Sequence, residues 1–194
     1  MRIFYAVNFA DDVKSSLYDN MAEIKKHTLK GSFTPRENFH VTLLFIGECA
    51  PSQLAGLKAA ADTAVSKINP PPIPAVIDGL ASFARPREEL LWVGMKTEPG
   101  DILNKINAAL IEEIGKTGIK IKESDKNRFS PHITIARKVE FWRMSRKDIH
   151  QIQFDPVNCT IDSLTLMESV QETDRTTRRT KIIYKPLHES KFTP

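Results

Sequence analysis

The sequence predicts an α+β protein in which antiparallel strands build the sheets and helices pack against them. Segments with strand-like alternation and segments with helical periodicity follow one another along the 194 residues. Several predicted strands are joined by short links, which suit hairpins between antiparallel neighbours. Alternating strands and helices also suggest a doubly wound parallel sheet, but that fold binds phosphate at a glycine-rich turn after a strand, and the sequence has no such turn.

The predicted elements follow the order βαβαββαβ and then two further strands, without a long linker. Each strand is rich in β-branched or large apolar residues, and each helix repeats apolar residues every three or four positions. We therefore expect residues 1–194 to form a single domain. The strands are expected at 2–9, 39–46, 73–83, 90–97, 130–138, 160–170 and 179–187, and the helices at about 12–29, 52–68 and 100–116.

Local signals set the ends of the first elements. Asp11 or Asp12 caps the first helix by accepting free N–H groups of its first turn. A turn containing Gly31 and Pro35 is predicted before the second strand. Asn69, followed by a run of three prolines, ends the second helix.

Weaker signals mark the second half of the chain. The connection Arg85-Pro86-Arg87 joins the third and fourth predicted strands, and the third helix closes before Gly118. The stretch 140–153 is rich in charge and has an ambiguous pattern. The polar, basic segment 172–179 is predicted to be the loop of a C-terminal hairpin.

The chain is mildly basic, with a formal net charge of +4. This charge fits a polyanionic ligand without requiring one. A solvated basic face that keeps the protein soluble is the alternative interpretation of each local cluster. Several small clusters occur among the basic residues Lys25, Lys26, Lys30, Arg85, Arg87, Arg137, Arg143, Arg146, Lys147, Arg175, Arg178 and Arg179.

Cys49 and Cys159 are the two cysteines of the chain. Their spacing suits neither a zinc knuckle nor a disulfide framework, so we expect two free thiols in a reducing compartment, with a single disulfide as the alternative. The apolar run within residues 2–9 is too short for a membrane span and lacks a cleavage site, so it predicts a strand and not a signal peptide. The sequence thus predicts a cytoplasmic protein without a membrane partner.

Two segments share one pattern. Residues 39–46 and 130–137 each place a histidine and a threonine two positions apart, with apolar neighbours, in a predicted strand. Because side chains alternate across a strand, the histidine and the threonine of each segment point to one face, and the apolar residues point to the other. The two histidines are 92 residues apart, close to half the chain, which indicates a duplicated lobe. The four polar residues are His40, Thr42, His132 and Thr134.

A pair of histidines suits the hydrolysis of a phosphodiester. In-line attack needs a base that takes a proton from water and an acid on the opposite side that protonates the departing oxygen. Since the unperturbed pKa of histidine is about 6.5, one imidazole can be neutral and the other protonated at the working pH. Threonine hydroxyls can donate hydrogen bonds to the phosphate oxygens, where negative charge grows in the transition state.

A nearby arginine would add a bidentate clamp on the phosphate. Arg137 follows the second motif and is the best candidate, although strict alternation would place it on the face opposite His132. A β-bulge would bring it round. A metal mechanism would need several Asp, His or Glu ligands at close spacing, and neither motif contains a carboxylate, so we expect neither a metal nor another cofactor.

The two motif regions resemble those of the 2H phosphoesterases, and specifically of the LigT-like RNA 2′,3′-cyclic phosphodiesterases. The resemblance rests on Pro35-Arg-Glu-Asn-Phe-His-Val-Thr-Leu-Leu-Phe-Ile-Gly-Glu48 and Phe129-Ser-Pro-His-Ile-Thr-Ile-Ala-Arg137. It extends to Arg2-Ile-Phe-Tyr-Ala-Val7, to Arg85-Pro-Arg87 and to Leu91-Trp-Val-Gly94. It therefore covers most of the chain in the family's order, and it is weaker beyond about residue 138.

The resemblance implies a bilobal fold of two βαβαβ-type halves, whose antiparallel sheets face a central basic groove and carry helices outside. It implies an enzyme that opens the 2′,3′-cyclic phosphate at the end of an RNA or oligonucleotide, and also a reversible 2′–5′ RNA ligation. We expect the protein to be a monomer. His40 would be the proton donor to the leaving 3′ oxygen, and His132 would be the proton acceptor that activates water, leaving a 2′-phosphomonoester. Thr42 and Thr134 would bind the phosphate, with Arg137 as the candidate clamp.

Two other functions are alternatives. A non-catalytic RNA-binding module would keep the basic groove, but a pure binder has no need for two histidines each beside a threonine. The same fold could also act on another cyclic or 2′–5′ phosphodiester, a difference that would lie in loops such as 140–153 and 172–179. Phe83, Trp92 and Phe129 are candidates for stacking a base, although a role in the core is favoured for each one.

Overall fold

A computed structural model of the protein describes residues 1–85, 88–122, 129–142, 146–173 and 180–193, and within these all side chains but those of residues 84, 85, 88, 146 and 147. The described strands are β1 (Arg2–Asn8), β2 (Thr28–Phe33), β3 (His40–Glu48), β4 (Ile73–Arg85), β5 (Glu88–Thr97), β6 (His132–Phe141), β7 (Val157–Ile161), β8 (Ser163–Thr173) and β9 (Thr180–Lys191). The helices are α1 (Asp11–Lys26), α2 (Leu54–Ile68) and α3 (Ile102–Lys116), with short 3₁₀ turns at Arg36–Asn38, Pro51–Gln53 and Arg146–Gln151.

The strands join in the order β7-β4-β5-β6-β3-β1-β8-β9, and β2 pairs with β6. Every pairing is antiparallel, which confirms the α+β prediction. The two predicted sheets are the two halves of this order, β7-β4-β5-β6 and β3-β1-β8-β9. They are not separate, because β3 and β6 join them through the pairing of Val41 with Ile133. The seam between the halves therefore runs through both motif strands.

The segment around Gly31, predicted as a turn, forms strand β2. It pairs with β6 from Phe141 to Ala136, at a spacing that leaves little room above Gly31. A Cβ at Gly31 would lie 3.3 Å from Cγ2 of Val139, so the glycine permits the close approach of the two strands. The turn prediction was wrong because glycine serves here to admit a neighbouring strand and not to bend the chain.

The strand predicted at 160–170 is divided between two strands. The chain breaks at Asp162, so that β7 pairs with β4 on one half and β8 pairs with β1 on the other. A continuous β-forming pattern in sequence cannot show which neighbour each part pairs with. The C-terminal hairpin is confirmed by the pairing of β8 with β9, from Ser163 with Lys191 to Thr173 with Thr180, while the predicted loop residues 174–179 lie outside the described residues.

The helices cover the two halves. Helix α1 contacts β2 and β7, and its buried face includes Leu17 and Met21. Helices α2 and α3 pack on each other and contact β8, β9 and β3. The hydroxyl of Tyr5 in β1 donates a buried hydrogen bond of 2.7 Å to the carbonyl of Leu57, which ties the sheet to α2. No helix in the described ranges is long and apolar enough to cross a membrane.

Candidate active site

The pairing of Val41 with Ile133 brings the two motifs together at the seam of the sheet. Both of these residues are fully buried on the helix side. Because the register is antiparallel, it sets His40 opposite Thr134 and His132 opposite Thr42. The sheet thus relates the two motifs by a local twofold arrangement, which accounts for their repetition in the sequence.

The opposite face of the seam opens into a cavity of about 650 Å³. Its lining contains three cationic side chains, and none of the described lining residues is an Asp or a Glu. Such a lining favours an anionic ligand. The lining residues are Arg2, Phe4, Ser32, Phe33, Thr34, Pro35, Asn38, His40, Thr42, Phe45, His132, Thr134, Arg137, Ser169, Thr180, Lys181, Ile182 and Tyr184.

Each histidine is oriented by a backbone carbonyl two residues earlier in the chain. Nδ1 of His40 lies 2.8 Å from the carbonyl oxygen of Asn38, and Nδ1 of His132 lies 2.7 Å from that of Ser130. A carbonyl oxygen only accepts, so Nδ1 of each ring carries a proton and donates it. Each ring is thereby held with Nε2 as the atom free for chemistry, and Nε2 of His40 lies 3.0 Å from the hydroxyl oxygen of Thr42.

Asn38 is held in place by the other end of the sheet. It ends the 3₁₀ turn before β3, and its side chain is buried. Its Nδ2 donates a hydrogen bond of 2.7 Å to the carbonyl of Ile182 in β9. Strand β9 therefore fixes the carbonyl that orients His40, although the two residues are far apart in sequence.

The surroundings of His40 disfavour its charged form. Its ring packs against Phe4 and Tyr184, with centroids 5.1 and 4.8 Å away, and these two rings also contact each other. Burial lowers the pKa of His40 to about 4, the hydrogen bond to the carbonyl of Asn38 acts against this, and the charges of Lys14, Arg137 and His132 lower it further. In the free protein His40 is therefore neutral at pH 7.

A β-bulge brings Arg137 into the cavity. Leu91 pairs with Ala136 and Trp92 pairs with Thr134, so Ile135 is an extra residue in β6. Ile135 and Ala136 are both fully buried, and the alternation resumes with Arg137 on the face of Thr134. The bulge that the sequence left open is thus present, and it reverses the orientation that strict alternation gives Arg137.

A matching bulge lies in the other motif. Ala6 pairs with Thr42 and Tyr5 with Leu44, so Leu43 is the extra residue of β3. Phe45 then occupies the position that corresponds to Arg137, and the guanidinium of Arg2 lies over its ring, 5.0 Å from the centroid. The two halves of the cavity therefore each present an arginine.

The carbonyls freed by the bulges are satisfied differently in the two halves. Nδ2 of Asn107, from α3, donates a buried hydrogen bond of 2.7 Å to the carbonyl of Leu43. On the other side, the backbone N–H of Thr34 donates to the carbonyl of Ile135 at 2.8 Å, and its hydroxyl donates to the carbonyl of Thr134 at 2.8 Å. The duplicated backbone is thus supported by unrelated residues.

The structure places all five predicted site residues, His40, Thr42, His132, Thr134 and Arg137, on one cavity wall. Two further cationic residues of the lining, Arg2 and Lys181, were not predicted as site residues. Arg2 is the first residue of β1. Because side chains alternate along a strand, Arg2 is expected on the same face as Phe4, and this alternation could have predicted its place in the cavity. Lys181 lies in β9, in the part of the sequence where the family resemblance is weak. Its place in the cavity depends on a long-range pairing that sequence periodicity does not reveal.

The other basic residues singled out in the sequence fall into two groups. Some have described side chains that do not line the cavity, and the side chains of the others are not described. Lys26 is paired with Glu23, and Lys30 with Glu140. Lys25 lies over the ring of Phe33, 5.1 Å from its centroid. The side chains not described are those of Arg85, Arg87, Arg143, Arg146, Lys147, Arg175, Arg178 and Arg179.

The three aromatic candidates for base stacking separate into two groups. Phe129 is packed against the core. Phe83 and Trp92 stack on each other, with centroids 5.0 Å apart, and both rings make T-shaped contacts with the ring of His132. Among the described residues, no group of three or more His, Cys, Asp or Glu side chains is arranged to hold a metal ion.

The antiparallel fold and the paired motifs define a family. The model of the 2′-5′ RNA ligase superfamily matches residues 13–173, and the chain belongs to that superfamily. The RNA 2′,3′-cyclic phosphodiesterase of Thermotoga maritima is 27% identical over 99% of this chain and 96% of its own length, and that of Archaeoglobus fulgidus is 28% identical over 71% and 72%. The crystal structure of E. coli LigT in complex with 3′-AMP superimposes on this structure with a TM-score of 0.74, and the alignment covers 100% of this chain and 98% of LigT. The sequence identity in this alignment is 21%. This structural likeness confirms the fold.

Proposed function

We propose that the protein hydrolyses the 2′,3′-cyclic phosphate at an RNA end to a 2′-phosphomonoester, by acid–base catalysis without a metal. The observation that supports this most directly is the placement of two carbonyl-oriented imidazoles at equivalent positions in one cationic cavity. The relatives from Thermotoga and Archaeoglobus carry the corresponding name, RNA 2′,3′-cyclic phosphodiesterase. A module that only binds RNA gains nothing from orienting both rings in the same way.

The proposed roles follow the resemblance. His132 takes a proton from the attacking water, and His40 gives a proton to the departing 3′ oxygen on the opposite side of the phosphorus. The hydroxyls of Thr42 and Thr134 donate to the non-bridging oxygens, and Arg137 clamps them. The antiparallel register supports an acid–base pair because it places a histidine and a threonine on each side of the seam. The division of roles between the two histidines rests on the resemblance.

The low pKa of His40 adds a condition to its role as the acid. A residue with a pKa of about 4 is deprotonated in the free protein at pH 7. The cyclic phosphate carries a negative charge, and a nearby negative charge favours the imidazolium. We propose that His40 becomes protonated when the substrate binds, so that the acid is present only in the complex.

The test is hydrolysis of a cytidine or adenosine 2′,3′-cyclic phosphate in the presence of EDTA. His40→Ala and His132→Ala are each expected to lower kcat by at least about 100-fold, the usual contribution of a positioned acid or base. Phosphorus NMR of the product reports whether the phosphate stays on the 2′ or the 3′ oxygen. His150→Ala is the control, because His150 is exposed on the 3₁₀ turn at Arg146–Gln151 and is not part of the cavity lining.

Full activity in both cavity variants would refute the catalytic pair. Binding of RNA that weakens with salt, without turnover of any cyclic phosphate, would instead identify an RNA-binding module. Turnover of other cyclic or 2′–5′ phosphodiesters in preference to RNA ends would keep the roles of His40 and His132 and change the substrate.

We further propose that residues 1–194 act as one bilobal domain, a monomer that works on RNA in the cytoplasm. The cavity draws residues from both halves of the sheet, which supports a single domain. Cys49 and Cys159 are free thiols, which agrees with a reducing compartment.

A further inference from the structure

The aromatic pair Phe83–Trp92 is not used by the proposed hydrolysis. Phe83, on β4, is 41% exposed, and Trp92, on β5, lies behind it in a stacked arrangement with an angle of 24° between the rings. Phe83 thus offers an exposed aromatic face next to the candidate active site, and aromatic faces contribute large contact areas to binding. The indole Nε1 of Trp92 is buried without a hydrogen-bond partner among the described residues, which a purely structural tryptophan usually avoids.

The pair continues the site on the side of His132. The ring centroids of Phe83 and Trp92 lie 5.7 and 5.9 Å from that of His132, at steep angles of 89° and 69°. The strand order β4-β5-β6 places Phe83, Trp92 and His132 on three adjacent strands. An aromatic face in this position can stack a nucleobase whose sugar lies close to Nε2 of His132.

The cavity extends from His132 toward His40, away from Phe83 and Trp92. Its lining is drawn from β1, β2, β3, β6, β8 and β9 and the loop before β3, and contains no described residue of β4 or β5. The cyclic nucleotide, whose 3′ oxygen is next to His40 in the proposed mechanism, therefore has its space on the His40 side. The ring of Phe83 lies beyond His132, on the side from which the nucleophile attacks.

We propose that Phe83, supported by Trp92, stacks the first base of a second RNA strand, whose 5′-hydroxyl replaces water as the nucleophile. This inference rests on the proposed function and assigns the acceptor subsite for a 2′–5′ ligation. The 5′ oxygen forms a bond to phosphorus, and the bond from phosphorus to the 3′ oxygen breaks. The proton of the 5′-hydroxyl passes to His132, and the proton of His40 passes to the 3′ oxygen. The products are a 2′,5′-phosphodiester and a 3′-hydroxyl, and no nucleotide cofactor is consumed.

The experiment incubates the protein with a short RNA ending in a 2′,3′-cyclic phosphate and increasing amounts of a second RNA with a 5′-hydroxyl. Ligated and hydrolysed products are separated by electrophoresis, and their ratio is followed as a function of the acceptor concentration. Phe83→Leu keeps an apolar side chain against His132 but removes the aromatic face. We expect it to raise the acceptor KM by about 5- to 150-fold, the loss that corresponds to one stacked base. Phe83→Tyr should keep the wild-type ratio.

An acceptor that lacks its first base provides the matched test on the ligand. The wild type should lose about the same factor with this acceptor, and Phe83→Leu should lose little more, because both changes remove one interaction. Tyr18→Ala is the control, since Tyr18 is a comparably exposed aromatic residue on α1, 44% exposed and outside the cavity.

The outcomes separate this inference from the proposed function. Hydrolysis without any ligation by the wild type, or equal ratios for Phe83→Leu and the wild type, would overturn the acceptor subsite and leave the hydrolase intact. A KM for the cyclic mononucleotide that rises as much as the acceptor KM would show that Phe83 stacks the base of the cyclic nucleotide instead, which also overturns it. Absence of both reactions in the wild type would refute both proposals.

Discussion

The neutral state of His40 should make the stability of the protein depend on pH. The folded-state pKa of His40 is about 4, against 6.5 for the free side chain. Because the folded value is the lower one, the unfolded chain binds the proton more readily as the pH falls. Stability is therefore retained above pH 6.5 and lost progressively as the pH falls from about 6.5 to about 4.

The magnitude follows from the difference between the two pKa values. The full difference corresponds to about 3 kcal/mol, at about 1.4 kcal/mol for each pH unit. Between pH 7 and pH 5, linkage gives a loss of about 2 kcal/mol in the free energy of unfolding. This is an upper value, since one edge of the His40 ring faces the cavity, where water screens its charge.

The assay is urea unfolding of the wild type and of His40→Gln at pH 7 and at pH 5. Carboxylates also titrate in this range, but their contribution cancels in the difference between the two proteins. We expect the wild type to lose about 2 kcal/mol more than His40→Gln between the two pH values. An equal loss in both proteins would refute the burial argument, and His150→Gln, an exposed histidine, should behave as the wild type.

Two further predictions concern groups that support the site. Arg137→Lys keeps the positive charge near His40 but removes the planar fork, so the KM for a cyclic phosphate should rise by about tenfold in steady-state kinetics; an unchanged KM would mean that Arg137 acts only through its charge. Asn107→Ala leaves the buried carbonyl of Leu43 without its partner, so urea unfolding should show a loss of about 1–3 kcal/mol. A loss below about 0.5 kcal/mol would mean that another group satisfies that carbonyl.

The sequence predicted most of what is local. The C-terminal ends of α2 at Asn69 and of α3 before Gly118, and the His-x-Thr faces, depend on neighbours a few residues apart, and the structure has them as expected. The cap predicted at Asp11 or Asp12 was wrong, because α1 begins at Asp11 with Ala10 as its N-cap residue and the two carboxylates lie in its first turn. The resemblance between the two motifs also predicted two related halves. Both inferences use signals that lie within one strand or one repeat.

The parts that the sequence missed depend on long-range pairing. Strand β2 exists because Gly31 admits β6, and Lys181 reaches the cavity because β9 closes one edge of the sheet. The orientation of Arg137 depends on a bulge whose extra residue, Ile135, is an ordinary β-branched residue. The pKa of His40 depends on Phe4 and Tyr184, which are brought to it from other strands.

The break at Asp162 has a consequence for how the site is made during synthesis. The half that holds His132 comes from one continuous stretch of chain, from β4 to β7, whereas the half that holds His40 joins β1 and β3 to the C-terminal strands β8 and β9. Ser169, residues 180–182 and Tyr184 form part of the cavity wall. The carbonyl of Ile182 also accepts the hydrogen bond that holds Asn38, whose own carbonyl orients His40. A chain emerging from the ribosome thus carries both histidines long before it has a cavity. The cavity is complete only when β9, the last strand to be synthesised, has been added to the sheet.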